Sequence, residues 1–356
     1  MAILDSGDVA HPDLEVLLTT GEEVGLVGAK ALPSGLLRGA ALLSLDGESE
    51  GVFLTSCAGG STIDLDLDLG ERSPRAPAYE LRLDGLAGGH SGLDIDKGRV
   101  NGIRALADLL AGVGDDAPVA LSQWESPGAF NAINRRGRVV FAGGAGDVQA
   151  RVEEWARELR RAERGAGGGD VRVELRRLDG QVDCLGAEAS SRLLALLRGL
   201  PLGVVAMSPD VPGLVETSLN VGALTLTGAR ATVLASTRSS HRGRHEELRD
   251  RVGELAARHE ARMRVYGEYP AWPFDPDNPL LELAVRVHRE LFDREPEVTG
   301  VHGGLECGVL ADASPQMAML SIGAELSDCH TPRERASLSS VQRLADLTVA
   351  VVEAFG

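Results

Sequence analysis

The stretch Leu17-Leu18-Thr19-Thr20-Gly21-Glu22-Glu23-Val24-Gly25 decides how the rest of the chain is interpreted. A short apolar run ends in two adjacent carboxylates, and a glycine stands on either side of them. Adjacent residues that leave a strand point in different directions. One carboxylate can therefore hold a metal ion while its neighbour takes a proton from water, as metal-assisted hydrolysis requires. The alternative is an exposed acidic turn at the start of a helix.

The composition is that of a globular protein with a large core. The chain has 356 residues, of which 43% are hydrophobic and 25% are charged. This length predicts about two domains. The formal net charge of −17 argues against a nucleic-acid partner, because little of the surface would neutralise phosphates.

The cysteines and the apolar runs bear on where the protein is found. Cys57, Cys184, Cys307 and Cys329 are far apart and form no Cys-x-x-Cys pair, which favours a reducing compartment. The first residues do not have the form of a signal peptide, and no run approaches the ~18 apolar residues of a membrane span. We therefore expect a cytoplasmic protein with no membrane partner.

The pattern of apolar residues changes twice along the chain. Short buried strands are predicted near the start, helices and strands alternate between residues 61 and 268, and longer helices return after residue 269. This predicts an α/β fold with a doubly wound domain, residues 1–60 and 269–356, interrupted by an inserted α+β domain, residues 61–268. The predicted strands are 14–20, 40–45, 51–57, 79–83, 139–142, 171–175, 218–226, 231–235, 298–301 and 317–322, and the predicted helices are 98–113, 148–161, 245–259, 279–292 and 337–355.

Two further residues stand where such a site would have its ligands. Asp46 closes an apolar run, and His330 follows the strand predicted at residues 317–322. Open α/β sheets place their sites at the carboxyl ends of strands, where Glu22 and Glu23 also stand. Each residue alone has an ordinary alternative: Asp46 as a turn residue, and His330 as a polar side chain bonded within the protein.

The predicted inserted domain carries two more candidates. In Gly88-Gly89-His90-Ser91-Gly92 the glycines allow a close approach of the backbone to a ligand, and the imidazole of His90 could donate to a developing oxyanion. Arg238 could hold a carboxylate in bidentate fashion. The alternatives are a tight turn with an incidental histidine and a solvated arginine after a strand, and sequence alone favours the second of these for Arg238.

Several strings in consistent order resemble the aminoacyl-histidine dipeptidases, a family of co-catalytic zinc peptidases. The resemblance spans essentially the whole chain. The strings are the opening stretch, Cys57-Ala58-Gly59-Gly60, Gly88-Gly89-His90-Ser91-Gly92, Val215-Glu216-Thr217-Ser218-Leu219-Asn220-Val221-Gly222, Tyr269-Pro270-Ala271-Trp272, His302-Gly303-Gly304-Leu305-Glu306-Cys307-Gly308 and His330-Thr331-Pro332.

The resemblance implies a zinc-peptidase catalytic domain under a lid or dimerisation-type domain, and hydrolysis of Xaa-His dipeptides. Glu22 would be the general base, and His90 would polarise the scissile carbonyl. Glu23 and His330 would bind one of two zinc ions and Asp46 the other, with Co²⁺ or Mn²⁺ as alternatives.

The resemblance further implies that Asn131, Arg238 and Glu306 bind the dipeptide, and it allows a homodimer. The family carries a His-x-Asp motif and a Gly-Ala-Asp-Asn-Gly motif upstream, and neither is found here; residues 1–5 align with the helix that follows the second motif. We therefore expect a chain that lacks the N-terminal portion of the family and has an incomplete metal site. A family remnant that binds peptides or a partner through the lid without catalysis is the alternative function.

Overall fold

The computed structural model describes residue 7 and residues 9–33, 35–114, 118–144 and 146–355. The helices are α1 Val27–Lys30, α2 Gly102–Val113, α3 Val148–Gly165, α4 Ala187–Gly199, α5 Arg242–Arg258, α6 Pro279–Phe292, α7 Glu306–Ala313 and α8 Leu338–Phe355. The alignment of residues 1–5 with a helix concerns residues outside the described ranges.

The strands alternate with these helices along the chain. They are β1 Ala41–Gly47, β2 Val52–Cys57, β3 Gly59–Asp68, β4 Arg72–Arg75, β5 Ala78–Asp84, β6 Gly89–His90, β7 Val119–Ser126, β8 Ala132–Ile133, β9 Gly137–Gly143, β10 Arg172–Leu178, β11 Val182–Leu185, β12 Gly203–Met207, β13 Val215–Thr227, β14 Arg230–Ser239, β15 Ala261–Tyr269, β16 Glu297–Val301, β17 Ala318–Gly323, β18 Leu326–Ser327 and β19 Arg335–Ala336.

A four-stranded sheet of order β1-β17-β2-β16 draws on both ends of the chain. β1 is parallel to β17, β2 is parallel to β16, and the two pairs meet antiparallel. Leu320 and Ile322 pack on the side of α6 and α8, whereas Met319 belongs to the core around Cys307 of α7. Because successive residues of a strand face opposite sides, helices cover both faces, and the α/β fold class is confirmed.

A nine-stranded antiparallel sheet lies between these two segments. Its order is β10-β5-β9-β7-β13-β14-β3-β15, with β12 paired to β13. Its main core is formed with α2 to α5. The chain passes from one sheet to the other between Cys57 and Gly59 and returns after Tyr269. The division into a domain of residues 1–60 and 269–356 and a lid of residues 61–268 remains a prediction.

The strand predicted at residues 14–20 is wrong. The segment has no regular secondary structure and pairs with no described strand, and Val16 and Leu18 are 57% and 88% exposed. A segment without a ladder partner is not a strand, however apolar it is. The last residue of the segment, Thr20, is instead bonded to α1: its carbonyl accepts from the Gly28 N–H at 2.8 Å.

Other elements differ from prediction at their ends. α2 begins at Gly102 rather than residue 98, because the side chain of Asn101 accepts from the N–H groups of Ile103 and Arg104 and so caps the helix. Asp46 lies inside β1 and not after it. Among the residues that the structure describes, no helix is long and apolar enough to cross a membrane.

Candidate active site

Glu22 and Glu23 lie in a turn in front of α1. The carbonyl of Glu22 accepts from the N–H groups of Gly25 at 3.0 Å and Leu26 at 2.8 Å, which closes the turn. Glu22 is half-buried and Glu23 is exposed. The two carboxylates therefore meet different environments.

The carboxylates of this region are close enough to repel one another. Burial, and then the charges of Glu23, Asp46 and Glu306, raise the pKa of Glu22 above its ordinary value. Burial, and then Glu306 among other carboxylates, raises the pKa of Asp46. Like charges disfavour the ionised form unless a cation joins them. This acidic group of Glu22, Glu23, Asp46 and Glu306 thus has the electrostatics of a cation site.

His330 lies beside the acidic group, in a loop whose backbone is strained. Its Nε2 lies 3.4 Å from Oε2 of Glu23, and the two side chains are 65% and 70% exposed. His330 and Asp328 have φ angles of 60° and 56°, a region that non-glycine residues rarely occupy. The loop is held by the short hairpin of β18 and β19 and by a bond of 3.0 Å from the His330 N–H to Glu334. Strain of this kind is found at functional sites.

The residues present fit a zinc site in type but not in number. Imidazole nitrogen and carboxylate oxygen are ordinary zinc ligands, and Glu23 and His330 already approach each other. Within the described ranges, however, no three or more His, Cys, Asp or Glu side chains are grouped so that they could hold a metal ion. The described donors therefore do not form a metal site by themselves.

Glu306 is the first residue of α7 and faces the acidic group. Its Oε2 accepts a hydrogen bond of 2.7 Å from Oγ1 of Thr19, and its buried Oε1 has no hydrogen-bond partner within the described part of the chain. A buried carboxylate oxygen without a partner is costly in a folded protein. The oxygen is therefore available to a cationic or hydrogen-bonding ligand. Thr19 was not predicted as a site residue, although it stands in the opening stretch.

His90 lies in β6, which pairs with β8, and the structure assigns its tautomer. The N–H groups of Gly92 and Leu93 lie 3.2 Å from its Nδ1, which therefore accepts. A neutral ring then carries its proton on Nε2. Burial, followed by the charge of Arg238, lowers the pKa of His90 and favours the neutral form. His90 is thus prepared to donate from Nε2. The carbonyl of Asn131 accepts from the Ser91 N–H at 2.8 Å, so Asn131 lies beside His90.

Arg238 is not the solvated arginine that sequence alone favoured. It lies inside β14, paired with Ser218 of β13 and Gly60 of β3, and is only 6% exposed. Its Nη1 donates to the hydroxyl of Tyr269 at 2.8 Å. Among the described residues, its Nε has no hydrogen-bond partner and no carboxylate forms an ion pair with it. A buried cation without a counter-ion is unfavourable. The site therefore presents a desolvated positive charge to an anionic ligand.

His302 joins the two sides and was missed as a site residue. It is 4% exposed, its Nε2 lies 2.7 Å from Oγ of Ser218, and a Cβ on Gly92 would stand 2.3 Å from its carbonyl oxygen. Burial, and then Arg238, lower its pKa to about 3. His330 and Arg238 also both lower the pKa of His90. His330, which lies beside Glu23, and the buried Arg238 therefore act on the same imidazole, that of His90. The sequence signal for His302 was its place at the head of the family string His302-Gly303-Gly304-Leu305-Glu306-Cys307-Gly308, in which no role was assigned to this histidine.

The fold and the site are typical of a peptidase-type hydrolase: Glu22, Glu23 and His330 stand in turns, Asp46 in β1 and Glu306 in α7, whereas His90 stands in β6 and Arg238 in β14. The chain belongs to peptidase family M20/M25/M40, whose family model matches residues 2–354. This membership confirms the expected class of zinc peptidases and a role as an enzyme of dipeptidase type.

Individual relatives agree with the family assignment. The chain is 32% identical to the cytosol non-specific dipeptidase of Escherichia coli over 96% of its own length and 71% of that protein. It matches the structure of aminoacylhistidine dipeptidase from Vibrio alginolyticus with a TM-score of 0.91 and 31% identity, over 99% of this chain and 73% of that one. A tripeptidase from Staphylococcus aureus shares the fold, with a TM-score of 0.53 and 14% identity over 99% and 68% of the chains.

Proposed function

We propose that this protein hydrolyses dipeptides with a free amino group and a free carboxylate. The observation that carries the proposal is the opposition of charge across one site, with Glu22 and Glu306 on one side and the buried Arg238 on the other. A dipeptide at neutral pH carries one positive and one negative terminus. Its two oppositely charged ends match a site whose charged groups oppose each other in this way.

Substrate binding follows from the unpaired groups. Arg238 binds the carboxylate of the dipeptide, because a guanidinium matches a carboxylate in bidentate fashion. The free Oε1 of Glu306 accepts from the ammonium group, while Thr19 holds the other carboxylate oxygen in place. Asn131, beside His90, contacts the chain of the dipeptide between these ends.

Catalysis uses Glu22 and His90 as separate agents. The raised pKa of Glu22 suits a group that takes a proton from the attacking water and returns it to the leaving amine. The Nε2–H of His90 donates to the oxygen of the scissile carbonyl as negative charge develops there. Glu23 and His330 would hold one zinc ion and Asp46 a second, with Co²⁺ or Mn²⁺ as substitutes. The metal, when bound, supplies Lewis acidity toward water and the carbonyl.

We further propose that the metal site of this chain is incomplete. Catalytic zinc generally has three protein ligands, and the described residues contain no such group. The same observation favours a second candidate function, the binding of peptides or a partner through the lid without catalysis. Metal content of the purified chain, measured by mass spectrometry beside hydrolysis of Gly-His, separates the two. Stoichiometric metal with turnover would contradict the incomplete site, and peptide binding without metal or turnover would support the second function.

The preference for a C-terminal histidine is the finest part of the proposal. It is supported by the relative from Vibrio alginolyticus, whose name specifies aminoacylhistidine, whereas the Escherichia coli relative is named non-specific. Gly-His, β-Ala-His, Gly-Leu and Gly-Ala assayed side by side test it. Equal kcat/KM values for all four would contradict the preference.

The remaining proposals concern location and partners. A cytoplasmic protein without a nucleic-acid partner is supported by the net charge of −17 and by the cytosol named in the Escherichia coli relative. A homodimer is proposed from the family resemblance alone. Light scattering coupled to size-exclusion chromatography tests it, and a mass of one chain at all concentrations would contradict it.

A further inference from the structure

Tyr269 is placed to control the arginine of the site. It is the last residue of β15, where the chain leaves the nine-stranded sheet. Its hydroxyl accepts a hydrogen bond of 2.8 Å from Nη1 of Arg238. Among the described residues, this is the one hydrogen bond found for the side chain of Arg238, whose Nε has no partner. The orientation of the guanidinium therefore depends on a single phenol.

Two glycines from separate segments make room for the phenol. A Cβ on Gly60 would stand 2.5 Å from the hydroxyl oxygen of Tyr269. A Cβ on Gly304 would stand 2.7 Å from Cε2 of its ring. Any side chain at either position would displace the ring or the backbone. Three strings that the catalytic roles leave unexplained, Cys57-Ala58-Gly59-Gly60, Tyr269-Pro270-Ala271-Trp272 and His302-Gly303-Gly304, thus meet at one ring.

The phenol fixes the guanidinium without neutralising it. Burial raises the pKa of Tyr269 above its ordinary value, so the hydroxyl stays protonated at neutral pH. A carboxylate in the same place would orient Arg238 equally well, but it would also compensate the positive charge. A neutral acceptor leaves the full charge for an anionic ligand in a desolvated site, where such a charge interacts strongly.

We propose that Tyr269 is the positioning residue for Arg238 and sets the requirement for a free carboxylate on the ligand. The proposal rests on the proposed function in one respect, that Arg238 binds the carboxylate of the dipeptide. With the hydroxyl absent, Arg238 keeps its charge but loses its fixed direction. The selectivity for a carboxylate over an uncharged carboxamide then falls.

The test uses the full chain and a ligand that cannot be cleaved. Gly-His with its peptide bond reduced to a methylene-amine is compared with the same compound as a C-terminal carboxamide, by titration calorimetry. We expect the unmodified protein to prefer the carboxylate by about 100-fold, and Tyr269→Phe to reduce the preference by about 10-fold, as for loss of a hydrogen bond to a charged group. Affinity for the carboxamide should remain nearly unchanged.

Tyr266→Phe is the matched control. Tyr266 lies in the same strand, is 41% exposed, and donates its hydroxyl hydrogen to Asp64 at 3.2 Å, away from Arg238. We expect this variant to keep the full preference for the carboxylate. If Tyr269→Phe does not fold, Gly60→Ala provides a second variant, because the added Cβ presses on the same hydroxyl and should reduce the same preference.

The outcomes separate this proposal from the proposed function. Equal loss of affinity for both ligands in Tyr269→Phe would indicate a merely structural role and overturn the inference. An unchanged preference in Tyr269→Phe, together with its loss in Arg238→Gln, would overturn the inference and leave the role of Arg238 intact. An unmodified protein that binds neither ligand, or both equally, would contradict the proposed function and this inference with it.

Discussion

On the side of the four-stranded sheet, the candidate site consists of carboxylates and a histidine that stand largely in turns and open to solvent. On the side of the nine-stranded sheet, it consists of an imidazole and a guanidinium fixed by strand pairing. Glu23 and His330 are 70% and 65% exposed, whereas Arg238 is 6% exposed. The acidic side, with the four carboxylates and His330, is thus held loosely. The cationic side, with His90 and Arg238, is held tightly.

The two sides differ in how far their groups are oriented before a ligand binds. His90 has its Nδ1 occupied by two backbone N–H groups, and Arg238 has one bond to Tyr269. These groups are oriented before a ligand arrives, which reduces the entropy lost on binding. The carboxylates repel one another and raise the pKa of Glu22. A cation would order them, and we therefore expect the order of the acidic side to depend on a bound cation more than that of His90 and Arg238 does.

The largest expected effect is on the acidic side. Glu22→Gln removes the proposed base but keeps the shape of the side chain, and it should lower kcat for Gly-His about 1,000-fold in excess Zn²⁺. Any Zn²⁺ that the unmodified chain binds should be retained, because Glu23, His330 and Asp46 remain. Glu15→Gln is the control, since Glu15 lies in the same segment but bonds to Arg38 and Gly39. Loss of metal in Glu22→Gln would contradict its role as the base.

The second-largest expected effect is on Arg238, whose replacement should weaken substrate binding but increase the stability of the fold. Arg238→Met should raise KM for a dipeptide about 100-fold, because the carboxylate loses a charged partner. The same change removes a buried charge that has no described counter-ion, so the free energy of unfolding should rise by about 1 kcal/mol. Steady-state kinetics and urea denaturation measure the two. A less stable variant would indicate that Arg238 is compensated in the folded protein.

The sequence predicted the elements whose signals are local. The helix predicted at residues 279–292 is found as Pro279–Phe292, because Asn278 caps it and Pro279 occupies its first position. The strand predicted at residues 14–20 is not found, because strand formation depends on more than a local signal. Apolar character marks a buried segment, but a strand also needs a partner, which is not a local property.

The residues of the candidate site likewise divide into those with a local sequence signal and those without one. Glu22, Glu23 and Asp46 were predicted from their position at the ends of apolar runs, although Asp46 lies inside β1 rather than after it, and Glu306 was predicted from the family resemblance alone. Arg238 was taken as solvated because its burial arises from pairing with both β13 and β3, which are distant in sequence. His302 and Thr19 could not be singled out, because their contacts to Ser218 and Glu306 join segments that only the fold brings together.

The third effect concerns His302, which lies where the two sides meet. Its pKa is about 3 in the folded protein, against about 6.5 in an unfolded chain. Below pH ~6.5 the unfolded chain binds a proton that the folded protein does not, so stability is lost as the pH falls toward 3. Between pH 6.5 and 5 the loss should be about 2 kcal/mol. Urea denaturation should find this loss reduced in His302→Gln but not in His11→Gln, whose side chain is exposed. An unchanged slope in His302→Gln would contradict the prediction.

The smallest expected effect concerns Thr19 and Glu306 on the acidic side. It tests whether Glu306 is held as firmly as Arg238. Thr19 donates to Oε2 of Glu306 at 2.7 Å and leaves Oε1 for the ligand. Thr19→Val removes the hydroxyl but keeps the branched shape, so Glu306 becomes free to rotate, and KM for dipeptides should rise about 5-fold with little change in kcat. Thr19→Ser keeps the hydroxyl and should retain the original KM. If Thr19→Val and Thr19→Ser behave alike, the hydroxyl does not orient Glu306, and firm support is confined to the cationic side.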